Sequence, residues 1–107
     1  MIADTPAPPY YAVIFSSVKT GVDEEAYQTM AQRMVELAMQ QPGYLGHESA
    51  RDGLGITVSY WQDLASIKNW KQNSEHLYAQ QQGIQLWYQQ YKTRICLVER
   101  DYGMDKS

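Results

Sequence analysis

The ten residues from Tyr10 to Lys19, YYAVIFSSVK, carry apolar side chains at both alternating positions. Alternate residues of a β-strand point to opposite faces of the sheet, so this pattern predicts a strand that is covered on both faces. The chain has 107 residues, and a domain of this size leaves roughly a third of its unfolded surface exposed after folding. We therefore expect the second sheet face to be buried by another body, for which a second copy of the chain is the simplest candidate.

A helix is predicted directly after this strand. Thr20 to Asp23 has the spacing of a capping box, and Glu24 and Glu25 add negative charge at the positive N-terminus of the helix. Apolar residues then recur at three- and four-residue intervals, as a single buried stripe requires: Tyr27, Met30, Ala31, Met34, Leu37 and Ala38. Pro42 and Gly43 end the helix, since proline cannot continue it and glycine accepts a left-handed turn.

A β-hairpin and a second helix are predicted next. Residues 44–51 and 56–61 are strand-like runs, and the loop at 52–55 between them is rich in residues that tolerate positive φ. Asp63 can cap a helix that extends through Asn73. The apolar stripe of this helix consists of Leu64, Ile67 and Trp70.

The last third of the chain contains several shorter patterns. Asn73 and Ser74 can cap a further helical segment at residues 75–82, after which Gly83 marks a break. Helical spacing then predicts one or two last turns from Ile84, Trp87, Tyr88 and Tyr91. Residues 93–102 return to strand character.

The order strand, helix, strand, strand, helices, strand is that of the split βαβ arrangement. We therefore predict an α+β, ferredoxin-like fold with a four-stranded antiparallel sheet and helices on one face. The domain spans residues 10–102. A flexible N-terminal arm at residues 1–9, rich in proline, precedes it, and a C-terminal tail at 103–107 follows it.

Charge and hydropathy exclude several classes of partner. Nine Lys and Arg against twelve Asp and Glu give a formal net charge of −3, so we expect no nucleic-acid partner. No apolar run approaches the ~18 to 20 residues that cross a bilayer, and the N-terminal residues form neither a basic nor an apolar run. The single Cys96 cannot form an internal disulfide, and His47 and His76 lie too far apart for a zinc motif. We expect no metal, no membrane partner and a cytoplasmic location.

The aromatic composition is unequal, with nine Tyr and three Trp against one Phe. Tyr and Trp combine a large apolar ring with a polar tip, which suits a cavity or interface that must also form hydrogen bonds. If the residues line a cavity, this bias suits a flat, partly polar ligand.

Three residues are candidates for a site, and each has a structural alternative. Trp70 is either a core residue or the wall of a cavity. His76 is either a surface residue or a proton donor and acceptor, and it shares a side with Trp70 only if the helix breaks near Asn73 and Ser74. Arg94, near the start of the last predicted strand, is either an ordinary surface residue or a fork that holds an enolate, phenolate or carboxylate.

Several short motifs resemble those of a known family when they are taken in order. They are QPGYLGHE at residues 41–48, SYW at 59–61, Trp70 followed by SEH at 74–76, GIQLWYQQY at 83–91, Arg94, and RDY at 100–102. In this order and spacing, over residues 10–102, the chain resembles the antibiotic biosynthesis monooxygenase domain, a dimeric α/β barrel that haem-degrading monooxygenases also use.

The resemblance implies a homodimer in which two sheets close on each other, and a pocket lined by Trp70 in which a flat aromatic substrate lies. Polyketide-oxidising members carry an Asn one turn before this Trp, where this chain has Ser66. Haem-degrading members carry an Asn in the first strand and a haem-ligating His after the helix Trp. By resemblance, the position of the Asn corresponds to Ser16 or Ser17 in this chain, and the position of the His corresponds to Gln80. Haem degradation is therefore disfavoured.

The prediction from sequence is a cofactor-independent monooxygenase that acts on a small aromatic, phenol or quinol-like compound. His76 and Arg94 are the predicted catalytic residues. The predicted substrate-binding residues are Trp70, Tyr88, Ser66 and Trp61. The alternatives are a non-catalytic small-molecule-binding or stress-related module of the same fold and, less favoured, haem binding. A lone fold resemblance cannot separate these, because one fold hosts many sites.

Overall fold

The computed structural model describes residues 2–81 and 83–106. The elements are, in chain order, β1 (Tyr10–Lys19), α1 (Glu24–Met39), β2 (Tyr44–Asp52), β3 (Leu54–Trp61), α2 (Leu64–Gln81), α3 (Gly83–Trp87) and β4 (Tyr88–Val98). The strands form one antiparallel sheet in the order β2-β3-β1-β4. The predicted α+β, ferredoxin-like fold is confirmed. Among the described residues, no helix is both long and apolar enough to cross a membrane.

The first helix begins three residues later than a capping box at Thr20 would place it. Asp23 is the N-cap, and its Oδ1 accepts a hydrogen bond from the Ala26 amide at 3.4 Å. The Thr20 hydroxyl instead accepts from the Val22 amide and donates to the Leu86 carbonyl. Thr20 therefore joins the start of α1 to α3.

The prediction of a helix break near Asn73 and Ser74 is wrong, because α2 is continuous over 18 residues. The Asn73 side chain donates to the carbonyl of Asn69 at 3.0 Å and to Oε1 of Gln41 at 3.2 Å. Its amide therefore joins α2 to the end of α1 and does not cap a new helix. The predicted cap at Asp63 is confirmed, since its Oδ1 accepts from the Ser66 amide at 2.8 Å.

The helical prediction for Tyr88 and Tyr91 is also wrong, because both lie in β4. The two residues are three apart and still share one sheet face because the strand contains a bulge. Val18 pairs with Gln90 but Lys19 pairs with Tyr88, which leaves Gln89 as an extra residue. An extra residue moves Tyr88 onto the sheet face that Tyr91 already occupies. The strand begins five residues earlier than predicted and ends at Val98.

A second bulge lies in β2. Tyr44 pairs with Trp61 and Gly46 pairs with Tyr60, so Leu45 is the extra residue. The bulge places Tyr44 and His47 on one face, although a regular strand would put residues three apart on opposite faces.

The helices cover the sheet face that carries Trp61, which stacks on Trp70 of α2. We call this the helix-facing side. Directly paired strand residues share a face, so it also carries Phe15, Ser17, His47 and Ser59. Above it lies a core cluster from α1, α2 and the end of α3: Met30, Met34, Leu77 and Trp87.

The other side of the sheet, which we call the open face, carries no helix among the described residues. Ile14 and Val58 are half-buried there, while Ile56 and Leu54 are exposed to 40% and 51%. The arm and the residues directly after β4 contact one end of this face.

Hydrogen bonds of Glu48 and Tyr10 join Ala3 of the arm and Asp101 to the open face. Tyr60 donates to Oε1 of Glu48 at 2.5 Å, while the Ala3 amide donates to Oε2 at 2.9 Å. Tyr10 donates to Oδ2 of Asp101 at 2.5 Å. Ala3 and Asp101 therefore each have a hydrogen-bond partner on the sheet.

Candidate active site

The helix-facing side carries two groups of aromatic side chains. The β2 group consists of Tyr44, His47, Trp61 and Trp70. The β4 group consists of Phe15, Tyr27, Tyr78, Tyr88 and Tyr91. Each bulge adds one ring to its group, Tyr44 to the first and Tyr88 to the second.

Two indoles form the centre of the β2 group. The rings of Trp61 and Trp70 are stacked, with centroids 6.0 Å apart and planes 22° apart. Trp61 is completely buried, and its Nε1 donates to Oγ of Ser59 at 2.8 Å. Trp70 is only half-buried. Trp61 is therefore a fixed support for Trp70, whose accessible part can contact a ligand.

A tyrosine and a histidine extend this wall. The Tyr44 ring meets Trp61 edge-on at 5.6 Å, and its hydroxyl is hydrogen-bonded to Nδ1 of His47. Burial raises the pKa of Tyr44, which keeps the hydroxyl neutral. His47 pairs with Ser59 across the sheet, so polar groups from two neighbouring strands meet beside the indoles.

The start of α2 packs tightly on the end of the loop before β2. Gly43 has φ +83°, and a Cβ built there would lie 2.1 Å from Oγ and 2.6 Å from Cβ of Ser66. The carbonyl of Gly43 accepts from the Gln62 amide at 2.8 Å. Ser66, one turn before Trp70, can therefore occupy its position only because residue 43 is a glycine and has no side chain.

The β4 group surrounds Tyr88. Its hydroxyl lies 3.0 Å from that of Tyr78, and the rings of Phe15, Tyr27 and Tyr91 lie within 6.0 Å of its centroid. Burial, and then its proximity to Tyr78, raises the pKa of Tyr88. No ring contact joins this group to Trp70 among the described residues, so the predicted site residues Tyr88 and Trp70 belong to different aromatic groups, although both pack against the core cluster.

The two predicted catalytic residues are not brought to Trp70 within one chain. Arg94 of β4 pairs with Ile14 of β1, and this pairing places Arg94 on the open face, where its side chain is exposed. His76 is exposed on α2, and six residues along a continuous helix place it about 240° from Trp70. The helix break that would bring His76 round to Trp70 does not occur.

Two residues on the helix-facing side of β2 were not singled out from sequence as site residues. His47 is the first. The second is Arg51, whose Nη2 donates to Oγ of Ser17 at 2.7 Å and whose Nη1 lies 3.3 Å from the carbonyl oxygens of Ser17 and Gly53. Its guanidinium lies across Gly55. Two sequence features are associated with these residues: Gly55 opposite Arg51, and Gly43 and Gly46 around the Leu45 bulge. Neither feature can be interpreted without knowing which residues pair across the strands.

A cavity of about 370 Å³ lies elsewhere, beside the N-terminal half of α1. It is lined by Asp23, Glu25, Ala26, Thr29, Met30, Arg33 and Trp87. Neither Trp70 nor Tyr88 contributes to it. Within residues 2–81 and 83–106, no group of three His, Cys, Asp or Glu side chains is placed to hold a metal ion.

Comparisons with known proteins agree on a family and a fold. The family model for antibiotic biosynthesis monooxygenases matches residues 9–82. A protein of Bacillus subtilis (strain 168), uncharacterized protein YqjZ, is 50% identical over 101 residues, which are 92% of this chain and 88% of the relative.

Among solved structures, the fold is similar to that of PA3566 from Pseudomonas aeruginosa, with a TM-score of 0.67, 20% identity and coverage of 91% of this chain and 99% of that one. It is also similar to a mutant of SnoaB, a cofactor-independent oxygenase from Streptomyces nogalater. That TM-score is 0.71, at 12% identity, with coverage of 88% and 97%. Identities this low establish a shared fold only.

Proposed function

The chain belongs to the antibiotic biosynthesis monooxygenase family, and from that premise we propose that it is a cofactor-independent monooxygenase of a small phenol or quinol-like compound. The observation that carries the proposal is the half-buried Trp70 stacked on the completely buried Trp61. A rigid indole with one accessible part suits a flat aromatic ligand, and such stacking contributes about 0.5–1.5 kcal/mol beyond burial.

Oxygenation without a cofactor requires a substrate that supplies its own electrons. A quinol that has lost a proton is such a donor, and one quinol plus one dioxygen gives one hydroxylated quinone and one water. The protein then needs to exclude water, accept the proton and stabilise the anion. The β2 group offers aromatic walls together with the polar groups of Tyr44, His47 and Ser59.

The test is dioxygen uptake by the metal-free protein against a panel of quinols and polyphenols. We expect uptake that Trp70→Ala reduces strongly and Trp70→Phe reduces less, because phenylalanine keeps a ring at that position. Leu64→Ala, at an exposed position of the same helix, is the matched control and should behave as the unmodified protein. Uptake no greater than that of Trp70→Ala, across the whole panel, would contradict the proposal.

A non-catalytic binding module of the same fold is the second candidate. It is favoured by the positions of Arg94 and His76, neither of which shares a side with Trp70. This candidate predicts that quinols quench the fluorescence of Trp70 without being oxidised. Haem binding, the third alternative, predicts a Soret band on titration with haemin.

We also propose a cytoplasmic location, because its reducing environment suits the single free Cys96.

We further propose a homodimer that forms through the open face. Ile14, Val58, Ile56 and Leu54 form an apolar surface there that no helix covers among the described residues. Burial of such a surface stabilises association at roughly 25 cal/mol per Å². Light scattering that finds a single 12.3 kDa species at micromolar concentration would refute the dimer.

A further inference from the structure

The proposed oxygenation needs a group that accepts a proton beside the aromatic wall. The histidine that sequence reasoning favoured, His76, lies on the exposed side of α2. His47 is the other histidine of the chain. It is half-buried, and it lies on the helix-facing side with Trp61.

The surroundings of His47 leave one ring nitrogen available. Nδ1 is hydrogen-bonded to the Tyr44 hydroxyl, whereas Nε2 has no hydrogen-bond partner among the residues the structure describes. The Tyr44 ring is in turn held edge-on against the buried Trp61 at 5.6 Å. Tyr44 therefore fixes both the orientation of the imidazole and which nitrogen is occupied.

The position of Tyr44 depends on the Leu45 bulge. Without the extra residue, Tyr44 and His47 would lie on opposite faces of β2 and could not be hydrogen-bonded across one pleat. Bulges are over-represented next to active sites, where they re-aim a side chain. The bulge gives His47 a partner on the same side as the indole wall.

We propose that His47 is the proton acceptor of this site and that Tyr44 is its positioning residue, an inference that rests on the proposed function. Before the step the imidazole is neutral, with its proton on Nδ1, and this N–H donates a hydrogen bond to the Tyr44 oxygen. The proton leaves the phenolic oxygen of the substrate and binds to Nε2, while Nδ1 keeps its own proton and its hydrogen bond. The O–H electron pair stays on the substrate as a phenolate, which faces the resulting imidazolium. No electron is transferred in this step, and dioxygen takes no part in it.

A nitrophenol tests this step directly, because its phenolate and phenol forms absorb at different wavelengths. In a buffer below the nitrophenol's own pKa, we expect the phenolate band to rise when the unmodified protein binds it. His47→Gln should bind the nitrophenol and leave it as the phenol. Tyr44→Phe should bind it with a smaller phenolate band, and Trp70→Ala should weaken binding itself. With a turned-over quinol, His47→Gln should lower kcat by about 100-fold or more while KM changes little.

Three results would overturn the assignment. They are binding to the unmodified protein without a phenolate band, the same band in His47→Gln, and no binding of the nitrophenol at millimolar concentration. Loss of the band in His76→Gln with its retention in His47→Gln would transfer the role to His76. If His47→Gln does not bind, Tyr44→Phe decides, since it keeps the imidazole and removes only its partner. A phenolate band without dioxygen uptake from any quinol would retain the assignment and refute the oxygenase proposal.

Discussion

Replacement of Gly43 by alanine tests how β2 and α2 are held together beside the candidate site. The added Cβ would lie 2.6 Å from the Cβ of Ser66, an atom that no rotamer change can move. Gly43 also has φ +83°, where a side chain is strained whatever the space around it. Two separate penalties therefore meet at one position.

Each penalty has a known size. The left-handed backbone costs a residue with a Cβ roughly 1–2 kcal/mol. Overpacking against a fixed neighbour adds about 1–3 kcal/mol. Gly43→Ala should therefore lower the free energy of unfolding by about 2–5 kcal/mol.

Gly53→Ala is the matched control. Gly53 has φ +78°, and no atom lies within 4 Å of a Cβ built there. It should show the backbone penalty alone, so the difference between the two variants isolates the contact with Ser66. In urea, where m is about 1–3 kcal/mol/M for small proteins, that difference moves the unfolding midpoint by about 1 M.

A double-mutant cycle completes the test. Ser66→Gly removes the opposing Cβ at a cost of about 1 kcal/mol for glycine within a helix. In that background, Gly43→Ala should be no more harmful than Gly53→Ala. Equal midpoints for Gly43→Ala and Gly53→Ala in the unmodified background would refute the close approach of α2 to Gly43.

Two further variants test contacts on the two faces of the sheet. The pKa of Tyr60 is raised to about 12, first by burial and then by its hydrogen bond to Glu48, so its contribution to stability is complete below pH 10 and is lost as the pH rises through about 12. The pKa of Glu48 is lowered, first by Tyr60, so the contribution of Glu48 is present above pH 4.5 and is lost as the pH falls through its folded pKa. Tyr60→Phe should therefore flatten both limbs of a stability–pH curve, and an unchanged acid limb would contradict the hydrogen bond. On the other face, Gly55→Ala should displace only the flexible end of Arg51, which lies 2.1 Å from the added Cβ, and should cost about 0.5–1.5 kcal/mol through the lost bond to Ser17. An unfolding midpoint as low as that of Gly43→Ala would show that the Arg51 side chain cannot move aside.

Local chemistry made much of the fold predictable. The alternation in Tyr10–Lys19 and the cap at Asp63 are each determined by neighbours in sequence, and both agree with the structure. Gly43 was recognised as a helix end, but its second role, to admit Ser66, depends on a contact 23 positions away. No local pattern carries that information.

The candidate site was less predictable, because it depends on which face of a strand each residue occupies. Arg94 looked suitable from its charge, yet its pairing with Ile14 places it on the open face. Tyr88 and Tyr91 have helical spacing that arises instead from an extra residue in a strand. His47 could be assigned to a face by counting along β2, but its partner Tyr44 could not, since the count changes at Leu45.

The two bulges also bear on how this chain can be compared with its relatives. Gain or loss of a single residue at Leu45 or Gln89 would exchange the two faces for every position between that residue and the nearer end of its strand. An indel here therefore acts as a switch: one codon decides whether a tyrosine faces the helices or the opposite side of the sheet. In distant relatives, the residues that correspond to Tyr44 and Tyr88 should therefore be identified from strand pairing and not from their position in an ungapped alignment. A relative that differs by one residue at either bulge would present a different chemical surface with almost the same sequence.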